Sequence, residues 1–158
     1  MGFEMKRLLA ILLLGTALVA PQVALAKSVT VTTNLIKYSG NNAYMAVYIT
    51  NPDGSYNSTL WVSGTKFRYL GALRQWAQGI SQVGGNIDGI SGASVGSGRT
   101  LTVNADIADS LIDAGYQIHV DTAVEHGFEI PSDAVIPLQT SAQPVSGEGY
   151  VKTLSISM

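Results

Sequence analysis

Along this chain, apolar and polar residues alternate in short bursts, and one burst breaks the alternation. From Ser28 to Leu35 it runs Ser-Val-Thr-Val-Thr-Thr-Asn-Leu, with β-branched residues dominant and apolar positions alternating at first. That is the pattern of a strand. Between Ala43 and Thr50, Met45, Val47 and Ile49 alternate with Tyr44, Ala46, Tyr48 and Thr50. A strand sends successive side chains to opposite faces. One face is therefore aliphatic, and the other carries tyrosines that pack against or bind something. Ser39-Gly40-Asn41-Asn42 before it is a turn cluster. Asn51-Pro52-Asp53-Gly54 after it is a tight-turn signature, because Asp-Gly tolerates positive φ. A returning strand near Thr59-Leu60-Trp61-Val62 completes a predicted hairpin.

The period then changes. Over Lys66 to Ile80, Phe67, Leu70, Leu73 and Ala77 share one helical face, with Tyr69, Trp76 and Ile80 beside it. Lys66, Arg74, Gln75 and Gln78 face water. This predicts an amphipathic helix of about three to four turns, ended by Gly79 and then Gly84-Gly85. Residues 81–99 read as a Gly/Ser-rich loop, and loops that long are often functional or disordered. Thr100 to Val103 is the next strand, and Asn104 to Gly115 is a short helix or an irregular crossover. Tyr116 to Val124 alternates as a strand. Pro131, Pro137 and Pro144 punctuate the last third, with strands near Val135 to Leu138 and over Val151 to Ser157. Six to seven short strands with one helix predict a mainly β fold. The expected architecture is an immunoglobulin-like antiparallel β-sandwich with one amphipathic helix, rather than a parallel α/β sheet.

Composition changes this picture at the N-terminus. Lys6 and Arg7 precede an apolar run from Leu8 to Ala20, and Ala24-Leu25-Ala26 is a small-x-small cleavage site. Residues 1–26 are therefore expected to be a signal peptide, and residues 27–158 a single β-sandwich domain. The apolar run is short of the about 20 residues of a spanning helix, and no later stretch is long enough. The positive mean hydropathy of the chain is inflated by this segment. Nine basic residues less Lys6 and Arg7 leave seven, and eleven acidic residues less Glu4 leave ten, a net charge of −3. Such a domain has no basic stripe for nucleic acid and no polybasic patch for a membrane surface. There is no cysteine. That excludes disulfides, thiolate metal sites, a Cys nucleophile and a lipobox lipid. An exported domain of this kind suits a bacterial periplasm.

Four constellations carry candidate chemistry. His119, Asp121, Glu125 and His126 contain metal-ligating types, but metal sites need three or four converging ligands. A strand-surface His and a turn His are the simpler expectation. Gly92-Ala93-Ser94-Val95-Gly96 matches the G-x-S-x-G elbow of serine hydrolases. That elbow needs a strand before it and a helix after it. Here a Gly-rich loop precedes it and a strand follows. Tyr44, Tyr48, Trp61 and Trp76 are core aromatics or a platform for a flat ring, with core favoured for both Trp residues. Asp88-Gly89-Ile90-Ser91-Gly92-Ala93-Ser94 reads by composition as a loop with Gly at positive φ. Its chemistry also suits an anion: glycine N–H groups can approach a phosphate, and a carboxylate can hold Mg²⁺ or accept a proton.

That seven-residue stretch resembles the Asp-x-x-Ser/Thr-Gly-Ala-Thr/Ser signature of covalently flavinylated proteins. In such proteins a FAD:protein FMN transferase moves FMN from FAD onto the last hydroxyl. The resemblance implies Ser94 as acceptor, Ser91, Gly92 and Ala93 as the residues that present it, and Asp88 as the acid the transferase requires. The acceptor is Ser where Thr is usual. More widely, residues 44–127 resemble the periplasmic domain of unknown function 2271. The likeness runs from Tyr44-Met45-Ala46-Val47-Tyr48-Ile49 through the Asp53-Gly54 turn and the helix ending near Trp76. It continues to Gly115-Tyr116-Gln117-Ile118-His119-Val120 and Glu125-His126-Gly127. Where that family's Trp-Asp-Gly turn is expected, the chain reads Asn104-Ala105-Asp106. The resemblance implies a periplasmic electron-transfer flavoprotein with covalent FMN on Ser94, not itself an enzyme. It also implies a flavin transferase and a PepSY-type membrane reductase as partners. The alternative is an immunoglobulin-like periplasmic adaptor without cofactor.

Overall fold

The computed structural model describes residues 25–63, 67–87 and 89–158. Among these residues, eight strands form two sheets packed face to face. They are β1 (Ala26–Leu35), β2 (Ala43–Thr50), β3 (Tyr56–Ser63), β4 (Ser91–Gly92), β5 (Thr100–Ala108), β6 (Gln117–Val124), β7 (Glu129–Pro137) and β8 (Val151–Ser157). The smaller sheet has the order β5-β1-β8, and the larger β4-β3-β2-β6-β7. All pairings are antiparallel except the two-residue contact of β4 with β3. The mainly β sandwich read from the pattern is the fold. Among the described residues, no helix is long and apolar enough to cross a membrane. The leader expected over residues 1–26 lies outside the described residues except for Leu25 and Ala26, where β1 begins.

The alternation in β2 explains the layering. Met45, Val47 and Ile49 lie between the sheets with Val29, Val31, Ile118, Val120, Ile136 and Leu154, all essentially without exposure. Burying each such side chain contributes roughly 1.5–3 kcal/mol. Ala46 and Tyr48 face the other way, into a second cluster with Val62, Leu70, Leu73 and Trp76. The aromatic face of the strand is thus a second buried layer, covered by the helical segment.

That segment is not continuous. It divides into a single turn, α1 (Phe67–Leu70), and a ten-residue helix, α2 (Arg74–Val83). Helix α2 is the amphipathic helix, and Trp76 is its buried residue. Gly79 does not end it. A Cβ at Gly79 would lie 2.5 Å from Tyr56 Cβ, so glycine is there to let the helix touch β3. The helix stops at Gly84, which takes a left-handed φ of 64° and returns its N–H to the Ile80 carbonyl.

Other boundaries moved for tertiary reasons. Asn104-Ala105-Asp106 is neither crossover nor turn but the middle of β5, registered against Ser28-Val29-Thr30 of β1. Only Asp109–Leu111 forms a 3-10 turn. β7 starts six residues before the expected Val135 and runs through Pro131. It is the edge strand of its sheet, where a missing N–H costs no ladder bond.

Candidate functional site

The flavinylation-like stretch lies at the open edge of the larger sheet. Gly89 has φ 79°, and the Ile90 N–H returns to the Ile87 carbonyl at 3.2 Å. The Ile90 carbonyl then accepts from the Val62 N–H at 3.0 Å. Ser91 and Gly92 run parallel to Val62 and Ser63. Val95 and Ala43 exchange both backbone hydrogen bonds, at 2.7 and 2.8 Å. Ser94 is thus held between two pinned points in a stretch that runs with the sheet. Residues 95–99 are fastened in turn to the segment after β1. Ser97 Oγ accepts from the Tyr38 N–H and donates to the Tyr38 carbonyl, both at 2.7 Å. The Leu35 N–H reaches the Arg99 carbonyl at 2.9 Å.

The expected site residues divide clearly. Ser91 and Ala93 are exposed, and Gly92 and Ser94 are half-buried. Asp88 lies outside the described residues. Gly92 has a structural reason to be glycine: a Cβ there would sit 2.8 Å from Trp61 Nε1 and 2.9 Å from its Cζ2. The indole of Trp61 therefore packs flush against the backbone just before Ser94. The other tryptophan, Trp76, is core, and its Nε1–H donates to Thr59 Oγ1 at 2.8 Å.

His119 and Asp121 share a face of β6, and that face is buried under α2 rather than lying at a strand surface. Asp121 Oδ1 accepts from Tyr48 OH at 3.0 Å and from the Ser132 N–H at 2.8 Å. Its Oδ2 accepts from the Trp76 N–H at 2.9 Å. That N–H belongs to the first turn of α2, whose own cap residue Leu73 supplies no side-chain bond. A sheet carboxylate therefore caps the helix and complements its dipole.

Ser132 links the rest of this network. Its hydroxyl donates to Gln75 Oε1 at 2.7 Å and lies 2.8 Å from His119 Nδ1. With its one proton given to Gln75, Ser132 Oγ accepts from His119 Nδ1–H, which leaves Nε2 bare. That Nε2 is buried and without a partner among the described residues. Burial pushes the His119 pKa below its ordinary value, against the opposing pull of the Asp121 charge. Burial, and then the Asp121 charge, push the Tyr48 phenol upward. A cavity of about 490 Å³ opens beside the network, lined by Tyr48, Thr50, Tyr56, Arg74, Gln75 and Pro131 among others.

Sequence reasoning missed Gln75 and Ser132. Gln75 is exposed, as its water-facing position predicts, yet its amide oxygen still reaches Ser132, and Ser132 is hidden in the sequence by the neighbouring Pro131. The signal available was Ser-Asp after a proline opposite an Asp-bearing strand. Ser132 has φ 48° at a register shift between β6 and β7. Glu125 and His126 stand apart, in the turn after β6, with Nε2 and Oε1 4.0 Å apart. No cluster of three His, Asp or Glu side chains able to hold a metal forms among the described residues. Ser94 has no histidine partner there either, since the hydroxyl beside His119 Nδ1 is that of Ser132.

Residues 26–153 match the family model described as "Predicted periplasmic protein (DUF2271)". No curated protein and no solved structure matches the chain.

Proposed function

The chain belongs to the DUF2271 family of predicted periplasmic proteins, and from the signature-like stretch Asp88 to Ser94 we propose that it is a periplasmic electron-transfer flavoprotein. Its FMN is esterified to Ser94 Oγ by a FAD:protein FMN transferase, after export and removal of the leader over residues 1–26. The observation that carries this reading is the presentation of Ser94. Its signature-like stretch lies along a sheet edge, Ala93 before it is exposed, and Val95 after it is anchored. Ser94 is half-buried, and no hydrogen bond to its hydroxyl forms among the described residues.

The attachment balances simply. Ser94 Oγ forms a bond to the flavin-side phosphorus of FAD, the pyrophosphate P–O bond breaks, and AMP leaves. The hydroxyl proton passes to a base of the transferase site, where Asp88 belongs to the stretch that enzyme grips. Once attached, FMN supplies one- and two-electron redox chemistry, and the protein orients it. The module turns over no substrate of its own. Its electron partner is a PepSY-type membrane reductase.

The test is co-expression with an active FAD:protein FMN transferase, followed by intact mass and denaturing electrophoresis under ultraviolet light. A fluorescent band and an FMN adduct are expected for the wild type, and neither for Ser94→Ala. A band that survives Ser94→Ala rejects the acceptor. An unmodified wild-type chain rejects the flavoprotein reading and leaves an adaptor sandwich.

A further inference from the structure

The cavity of about 490 Å³ beside the Asp121 network has no part in the Ser94 reading. It lies at the Thr50 end of β2, whereas Val95 is bridged to Ala43 at the other end. About 23 Å of extended chain separates those ends. One wall of the cavity is helical. Gln75, Gln78 and Gln82 share one face of α2, and all three line the cavity. Gly79 brings that face down, since a Cβ there would strike Tyr56 on the opposite wall. Gln75 is preset. Its Oε1 is held by the Ser132 hydroxyl, which lies against His119, and Ser132 keeps an unfavourable φ of 48°. The Gln75 N–H₂ group and the side-chain amides of Gln78 and Gln82 make no hydrogen bond among the described residues. On the sheet side, Thr50 lines the cavity and is 1% exposed, and its Oγ1 has no partner among the described residues. Buried hydroxyls are nearly always paired, so an unpaired one in a cavity wall is a ready partner for a ligand.

We propose that this cleft between α2 and the β2–β3 hairpin binds a neutral saccharide. Charge sets the class. Arg74 is the one charged side chain in the wall, and its Nε is already paired with Glu129 at 2.6 Å. An anionic ligand would meet no unpaired cation there. Side-chain amides and hydroxyls both donate and accept, as the neighbouring hydroxyls of a sugar do. The half-buried Tyr56 offers a flat apolar surface to the C–H face of a sugar ring. The volume falls within the ~300–1,000 Å³ of small-molecule sites. Gln75, Gln78, Gln82 and Thr50 take the hydroxyls, and Tyr56 takes the ring. The site is separate from Ser94, so it stands or falls apart from the flavoprotein reading.

The experiment titrates the nitrogen-labelled, exported protein with two neutral sugars and follows amide NMR shifts. Maltotriose stands for a free oligosaccharide and triacetylchitotriose for a wall glycan, and the tighter binder identifies the source. Saturating shifts are expected at the side-chain amides of Gln75, Gln78 and Gln82 and at the backbone of Gly54 to Tyr56, with none at Val95. Gln78→Ala and Gln82→Ala change exposed helix positions, so they should keep the fold and weaken binding several-fold. Thr50→Val removes an unpaired buried hydroxyl. It should leave the unfolding midpoint at or above that of the wild type and still weaken binding. Ser94→Ala should bind as the wild type does. No saturating shift with either sugar overturns the proposal. So does binding that Gln78→Ala, Gln82→Ala and Thr50→Val all leave unchanged. Trigalacturonate or trialanine acting on the same residues at lower concentration than both sugars would overturn the saccharide class.

Discussion

Two buried carboxylates, Asp121 and Asp133, sit on opposite faces of the larger sheet, and the contrast between them separates a closed staple from a helix anchor. Both are essentially without exposure, and neither has a basic partner among the described residues. The oxygens of each are satisfied by neutral hydrogen-bond donors instead, as buried polar atoms require. Asp133 faces the smaller sheet. Its two oxygens accept from Thr122 Oγ1 and from the successive N–H groups of Gly149, Tyr150 and Val151, at 2.6 to 3.0 Å. Its backbone carbonyl also takes the Glu148 N–H. It is a closed staple that fixes where β8 begins. Asp121 faces α2, accepts from three donors, and has neighbours that titrate or are incompletely paired. The lesson is that a buried acid without a cation is not by itself a catalytic acid. What matters is whether its surroundings are saturated.

Asp133→Ala should produce the largest effect. It orphans four donors, each costing about 1–3 kcal/mol when left unpaired. A loss of about 4–5 kcal/mol is expected, a large share of the ~5–15 kcal/mol of a typical domain. Urea unfolding reads it directly. Asp121→Ala orphans three donors and should cost about 3 kcal/mol. It should act first on α2: amide exchange there should quicken while β1 and β8 stay protected. Equal loss of protection across both sheets would erase the distinction between staple and helix anchor.

Gly92→Ala tests the sheet edge. The new Cβ meets the Trp61 indole at 2.8 Å, and overpacking of this kind costs about 1–3 kcal/mol. Trp emission should shift with it. An unchanged spectrum and midpoint would show that the edge yields easily.

The pH response should be smaller and one-sided. His119 has a folded pKa below its ordinary 6.5, so the unfolded chain takes up the proton first. Stability is therefore fully present above 6.5 and falls as pH drops through 6.5 towards the folded value. Between about pH 7.5 and 5.5, above the ordinary carboxylate range, His119→Gln should flatten that slope. A slope that survives the substitution would assign it elsewhere. Ser94→Ala should be the smallest change in stability, within about 0.5 kcal/mol, while abolishing flavin attachment. A larger loss would make Ser94 part of the scaffold.

Much of the sandwich was legible because its physics is local. β2 was read to its boundaries, since Met45, Val47 and Ile49 against Tyr44, Ala46 and Tyr48 is a period of two. The aromatic face was read as packing against or binding something, and α2 packs on it. The helix break before Arg74 was not legible, because Phe67 to Ile80 keeps one apolar face on both sides of it. Gly79 misled for a related reason. A glycine can end a helix or let it approach a neighbour, and only Tyr56 shows which applies. The extension of β7 through Pro131 depends on its position as an edge strand, which local sequence does not carry.

The sequence by itself determined the fold class and the two-faced character of β2, because alternation and turn chemistry are properties of neighbours in the chain. Tertiary structure alone decided that Asp121 caps a helix and that Gly92 makes room for Trp61. These contacts join residues 45 and 31 positions apart. Sheet register and packing make those contacts, and they form only once the chain has folded.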